Sequence, residues 1–430
     1  MKNRVSERRN LALVISGVAA LVIGSIIVAN FLLYSIQGLP NLTGITEASG
    51  CTTPLTPEAK TLYVLSRSFS SRTINISAIG TNGQEHWTQK FATLSTPIRG
   101  SLAEKKGLIY AFITSQVLKR VKLYDHRVTQ ILAIINVAAA YNANSGKKLW
   151  DIQAPTNSPI EGMSICNDII YLWTSNAIYA FNANSGKSLW KMNNLILLNT
   201  PRIIVTNHAI VLTSKGKDSS HNTIFALNPK KGAVLWKADI ATRNQIGQSV
   251  VLSLTATDKA VYISQFNKGF PQQVEALSIN NGKLLWHTSI NMKIDNTSIR
   301  FPSTIVNNNV LYLYTSNTGL VALNVNDGTH LWAGSNVNQL QPLQDRLYVT
   351  HSTAADFCQL DPITGKSQWC MSTKSTSNPI EAVSSQTMLY IASPTGVSAL
   401  QKDNGKVSWV YKDKTPGTPR MLTYGLSLDN

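Results

Sequence analysis

Along the chain, hydrophobic residues follow two different rules. Residues 11–34, LALVISGVAALVIGSIIVANFLLY, form one uninterrupted apolar run without a charge. From residue 60 onward the apolar residues instead come in bursts of three to five, divided by Asn, Gly, Asp, Ser and Pro. The long run exceeds the ~20 residues that cross a bilayer as a helix. The short bursts, rich in Ile, Val and Tyr and bounded by turn formers, predict β-strands. Examples are Ile170-Tyr171-Leu172-Trp173, Val261-Tyr262-Ile263, Leu311-Tyr312-Leu313-Tyr314, Leu347-Tyr348-Val349 and Leu389-Tyr390-Ile391.

After each such burst a second strand and a tight turn follow in one repeating form. YNANSGKKLW, FNANSGKSLW, LNPKKGAVLW, LSINNGKLLW, LNVNDGTHLW, LDPITGKSQW and LQKDNGKVSW share it, and AIGTNGQEHW is a degenerate first copy. Glycine stands four residues before tryptophan at Gly83/Trp87, Gly146/Trp150, Gly186/Trp190, Gly232/Trp236, Gly282/Trp286, Gly328/Trp332, Gly365/Trp369 and Gly405/Trp409. Of the nine tryptophans only Trp173 lies outside this pattern. Asn bonds the backbone of the turn, Gly accepts positive φ, and the chain returns as a strand. Its Trp supplies a plate that packs between neighbouring units, with its N–H on a backbone oxygen. Successive tryptophans are 63, 40, 46, 50, 46, 37 and 40 residues apart. Four strands per ~40 residues, repeated, predict an all-β, eight-bladed β-propeller of four-stranded antiparallel blades.

A proline-led strand precedes each set, at Pro97, Pro159, Pro201, Pro302, Pro342 and Pro379. Proline suits a strand's first residue or an edge, and a blade's innermost strand is an edge. Thr200-Pro201-Arg202 is echoed by Thr418-Pro419-Arg420, after which no hairpin follows. The C-terminal piece therefore reads as the missing strand of the first blade, clasping the ring shut. Just after these prolines stand Arg99, Glu161, Arg202, Glu381 and Arg420. They are candidate channel-lining residues: a ring of structural ion pairs, or a polar socket for charged groups of a ligand or partner. The long first step reflects an insertion at residues 115–136, SQVLKRVKLYDHRVTQILAIIN, with Lys119, Arg120, Lys122, His126 and Arg127. It reads as a solvated loop with an elongated strand, or as a protruding basic contact element.

The basic stretch MKNRVSERR precedes the apolar run, so the positive-inside rule keeps the N-terminus in the cytoplasm. The expected domains are a cytoplasmic tail (1–10), a single-pass transmembrane signal-anchor helix (11–34), a tether (35–60) and the propeller (61–430). A cleavable signal would have a shorter apolar region ending in small residues. Ala48-Ser49-Gly50-Cys51 lacks the aliphatic residue of a lipoprotein box and lies well past the run. Only 14% of residues are charged, and the formal net charge is +17. Removing +3 for the N-terminal tail leaves +14, a bias toward anionic neighbours such as lipid headgroups or cell-wall polymers. No nucleic acid is expected as partner. No cysteine pair has metal-ligand spacing. Cys358 and Cys370 flank a predicted hairpin and are placed to face each other across its two strands, where an oxidising compartment favours a disulfide, whereas Cys51 and Cys166 read as free thiols.

The motif that ends each unit, seen from Phe181 to Trp190 and from Phe357 to Trp369, resembles the tryptophan-docking repeat of pyrroloquinoline-quinone-type propellers. The resemblance covers roughly residues 60–425. That family holds quinone-dependent alcohol and glucose dehydrogenases and also non-enzymatic scaffolds, including the propeller lipoprotein of the outer-membrane β-barrel assembly machinery. Its enzymes carry an adjacent Cys-Cys pair and a calcium cluster of Glu, Asn and Asp oxygens; this chain has no vicinal cysteines and no segment that supplies the cluster. It has no Cys-x-x-Cys-His haem motif, no Gly-x-Ser-x-Gly elbow, and its seven histidines are scattered. No catalytic, cofactor or metal residue is therefore assigned. The expectation is a membrane-anchored extracytoplasmic scaffold binding an envelope protein or anionic polymer, with a quinone-dependent oxidoreductase as the alternative.

Overall fold

The computed structural model describes residues 51, 59–68, 72–94, 97–123, 126–152, 158–193, 203–215, 222–240, 250–266, 272–290, 303–307, 309–315, 319–334, 337–343, 346–351, 356–372, 381–393, 396–412 and 421–429. They all belong to the unit Thr43–Asn430. The predicted membrane segment, 11–34, lies outside the described residues. Among those described, no helix is long and apolar enough to cross a membrane.

Thirty-two strands form eight four-stranded antiparallel sheets, each a blade. Seven blades are contiguous in sequence. Blade 2 covers 97–151, blade 3 covers 162–192, and blades 4 to 8 cover 203–240, 250–290, 303–334, 337–372 and 381–411. Blade 1 is composite. Thr61–Ser68, Thr73–Gly80 and Glu85–Thr93 supply three strands, and the C-terminal Met421–Leu428 pairs with Thr61–Ser68 as the innermost. Asp429 locks this closure from both sides. Its N–H donates to the Thr61 oxygen at 3.1 Å, and its carboxylate accepts the Thr61 N–H at 3.0 Å.

The repeat acts across blades. In each hairpin the Trp lies opposite a small Ala of its own third strand, as in Ala180↔Trp190 and Ala226↔Trp236, followed by a bulge in the ladder. In blade 7 Gln359 takes the alanine's place and its side-chain oxygen receives the Trp369 N–H. The indole then reaches the next blade. Trp87 bonds the Ala143 oxygen, Trp150 that of Asn184, Trp190 that of Pro229 and Trp236 that of Ile279. Trp286, Trp332 and Trp369 bond the oxygens of Val325, Pro362 and Lys402. The turn glycine of that next blade sits on the same ring. A Cβ on Gly186 would lie 2.5 Å from Trp150, and one on Gly232 2.6 Å from Trp190. Each of these turns thus needs glycine twice, for its φ near +70° and for the absent side chain. Beneath most tryptophans a second-strand tyrosine lies tilted, with centroids 5.8–6.1 Å apart. The Pro229 oxygen accepts both Trp190 and Tyr171, and the Pro362 oxygen both Trp332 and Tyr312, so each uses its two lone pairs.

Two sequence expectations need correction. Cys51 and Cys166 are not free thiols: they form a disulfide with Cα atoms 5.5 Å apart. The bond joins residues 115 positions apart, a proximity that only the fold creates. Nor does Pro342 open its strand. Blade 7's inner strand begins at Val337, and Pro342 pairs with Leu347 near its end. Proline is tolerated there because this strand's other edge has no partner in the sheet. Cys358 and Cys370 are directly opposed across their strands and form the second disulfide, Cα–Cα 4.1 Å.

Candidate interaction surface

The two ends of the ring differ. At one end lie the turns joining the first and second strands and the Gly-x-x-x-Trp turns joining the third and fourth. Within a blade they touch, as where Ala183 N–H donates to the Asp168 oxygen at 2.8 Å. Between blades a polar chain links them. Lys106 pairs with Asp168 at 2.9 Å, Asn167 donates to Asn207, and Asp258 accepts both the backbone and the side-chain N–H of Asn207. Further round, Arg346 reaches Asp403 at 2.7 Å. Asp327 and Asp361 sit in turns whose Thr329 and Thr364 donate to them, which holds both carboxyls below their usual pKa.

At the opposite end, blade 2 grows out of the ring. Its inner strand stops pairing at Pro97↔Ser115 and its outer strand at Ala139↔Asp151. The two middle strands, Leu108–Leu123 and His126–Asn142, continue as an antiparallel ladder from Gln116↔Ile134 to Leu123↔His126. The insertion is thus a β-hairpin with one bulge, at Val117/Leu118, rather than a loop, and among the described residues no strand of the blade pairs with either outer edge along it.

The candidate channel residues are only partly brought together. Arg99 and Glu161 form an ion pair between blades 2 and 3, and the Arg99 Nη1 also donates to the Glu161 backbone oxygen at 3.0 Å. Their side chains are 30% and 22% exposed, so the pair lies half-buried where the inner strands begin. Glu381 opens blade 8's inner strand opposite Ala392. Arg202 and Arg420 lie outside the described residues. Among the described residues no three His, Cys, Asp or Glu side chains gather as a metal cage, and both disulfides join non-adjacent cysteines. Among the described residues the donor set does not fit a quinone with its calcium.

A family model described as "Outer membrane protein assembly factor BamB" matches residues 72–271, 135–371 and 271–425, ranges that together take in nearly all of the repeat. The chain belongs to the BamB family. No curated protein matches the sequence. Among solved structures, apo AztD from Citrobacter koseri superposes with a TM-score of 0.54 at 9% identity, over 86% of this chain and 98% of that one. The computationally designed Ika8 protein gives 0.52 at 11%, over 83% and 98%. A europium-containing methanol dehydrogenase gives 0.52 at 14%, over 79% and 81%. At these identities the likeness is one of fold, and chemistry must be argued from residues. In this BamB-family chain Cys51 is bonded to Cys166.

Proposed function

We propose that the protein is a non-catalytic scaffold of the cell envelope, anchored by residues 11–34, that holds a partner protein through the hairpin of blade 2. The hairpin carries this reading. A two-stranded ladder projecting beyond its sheet is marginal in water by itself, and its two free edges can each accept a strand from another chain. Lys119, Arg120, Lys122 and Arg127 along it favour an acidic partner segment. The family's description as an assembly factor agrees with a protein-binding role. Two disulfides support an oxidising, extracytoplasmic compartment for the propeller.

The test is a photo-crosslinking residue at Gln116 in intact cells. The expected result is one discrete adduct with an envelope protein, lost when residues 118–132 are replaced by Asn-Gly between Val117 and Ala133. A trimmed protein that folds and still captures the same partner overturns the reading.

A further inference from the structure

We propose that the turn-bearing end of the ring lies against the membrane and that its partner there is the anionic lipid surface. The inference rests on the anchoring role of residues 11–34. Its first support is the Cys51–Cys166 disulfide. Cys166 ends blade 3's inner strand beside the turn at Asn167-Asp168, so the chain arriving from the apolar segment is fastened at this end. Cys51 also lies against Val205 and the core shared by blades 3 and 4. Only the sixteen residues 35–50 separate the apolar segment from Cys51.

Charge supplies the second support. The outer turns of blades 2 to 5 expose Lys147, Lys187, Lys230, Lys231 and Lys283. Acidic groups at the same end have partners of their own: Asp168 pairs with Lys106, Asp258 accepts from Asn207 and Asp403 pairs with Arg346, while Asp327 and Asp361 belong to the turns of blades 6 and 7, outside the run of lysine-bearing turns. The lysines of blades 2 to 5 present their charge outward, and such a basic surface is drawn to anionic headgroups.

The third support is a row of exposed leucines directly behind those turns. Leu149, Leu189, Leu235, Leu285 and Leu331 each precede a docking tryptophan and are 41–55% exposed. They occupy five consecutive blades, and the same position holds Gln368, Ser408 and His86 in the other three. The leucine arc, blades 2 to 6, includes the blade to which Cys51 is fastened. Lysines with apolar side chains behind them match the boundary between headgroups and acyl chains. The ring would lie tipped, with this arc lowest and the blade 2 hairpin directed away from the bilayer.

The full-length protein is placed in vesicles of phosphatidylglycerol and phosphatidylcholine, in phosphatidylcholine alone, and in detergent, then acetylated at lysine and read by mass spectrometry. On anionic vesicles Lys147, Lys187, Lys230 and Lys283 should label several-fold more slowly than in detergent. Lys412, at the opposite end of blade 8's outer strand, and Lys90, in the far half of blade 1's, should be unchanged. Leu235→Glu with Leu285→Glu should restore labelling while thermal unfolding stays the same. Equal labelling at both ends, or protection at Lys90 and Lys412 instead, overturns the orientation. Flotation in high salt reads the anchor separately: a chain that fails to float overturns the anchoring reading and this one with it.

Discussion

The indole N–H of Trp409 donates to the carbonyl oxygen of Thr81 at 2.7 Å, joining residues 328 positions apart. On the same ring sits Gly83, whose Cβ, were there one, would lie 2.9 Å from the indole. The last tryptophan of the chain thereby meets the first turn, by the same contact that joins every other pair of blades.

Gly186→Ala tests that contact. The substitution incurs about 1–2 kcal/mol for a side chain at positive φ and about 1–3 kcal/mol for crowding Trp150. Gly107 provides the control, having φ +76° and nothing within 4 Å of its would-be Cβ. In urea unfolding, Gly186→Ala should lose clearly more stability than Gly107→Ala. Equal losses would show that backbone conformation alone sets the need for glycine.

Arg99 and Glu161 can be examined by a double-mutant cycle with Arg99→Met and Glu161→Gln. A half-buried pair with a second bond to backbone should show a coupling of about 1 kcal/mol in unfolding. Additive losses would mean that the two side chains do not support each other, and a role toward a ligand would then gain ground.

The two disulfides should differ in weight. Cys51–Cys166 spans 115 residues and Cys358–Cys370 only 12. Chain entropy assigns them roughly 4–5 and about 3 kcal/mol respectively. Paired Cys→Ser variants, unfolded in urea, should rank in that order. Cys370 is exposed while Cys166 is buried, so alkylation during mild reduction should trap the hairpin bond first.

Alkali should unfold the ring. Burial pushes Tyr63, Tyr110, Tyr141 and Tyr390 up to about 12, and raises Tyr171 and Tyr312 further. Unfolded tyrosine ionises near pH ~10, so the contribution is intact below that and is lost as pH climbs from about 10 through about 12. Absorbance at 295 nm should rise together with loss of the β-sheet circular dichroism. A smooth titration near pH 10 with the fold intact would contradict the burial argument.

The blades were legible in the chain because each is a local event: a turn, its glycine and a returning strand within ten residues. Ring closure was legible too, since Thr418-Pro419-Arg420 repeats a strand opening where no hairpin follows. The inter-blade role of the tryptophan was readable, but not that its glycine serves a different tryptophan, because the spacing within a hairpin says nothing of the neighbour's turn. Cys51–Cys166 left no spacing signal at all. The outgrowth of blade 2 showed as a long interval, yet its strand pairing needed the register, since Lys119 to Arg127 breaks the alternation by which a half-buried strand is recognised. The candidate channel residues were found by position after proline, a cue to place rather than to role.

The composite first blade also dictates an order of assembly. Synthesis delivers Cys51 and Cys166 early, so that bond can form while most of the protein is still to be made. The strand Thr61–Ser68, by contrast, has to wait for Met421–Leu428, which follow it only after all seven other blades. Until then the nascent protein is an open arc with one uncovered edge. A chain ending before Met421 keeps that edge for good, an open template for a strand from any other protein, so a premature stop here would produce a sticky open arc instead of a smaller ring.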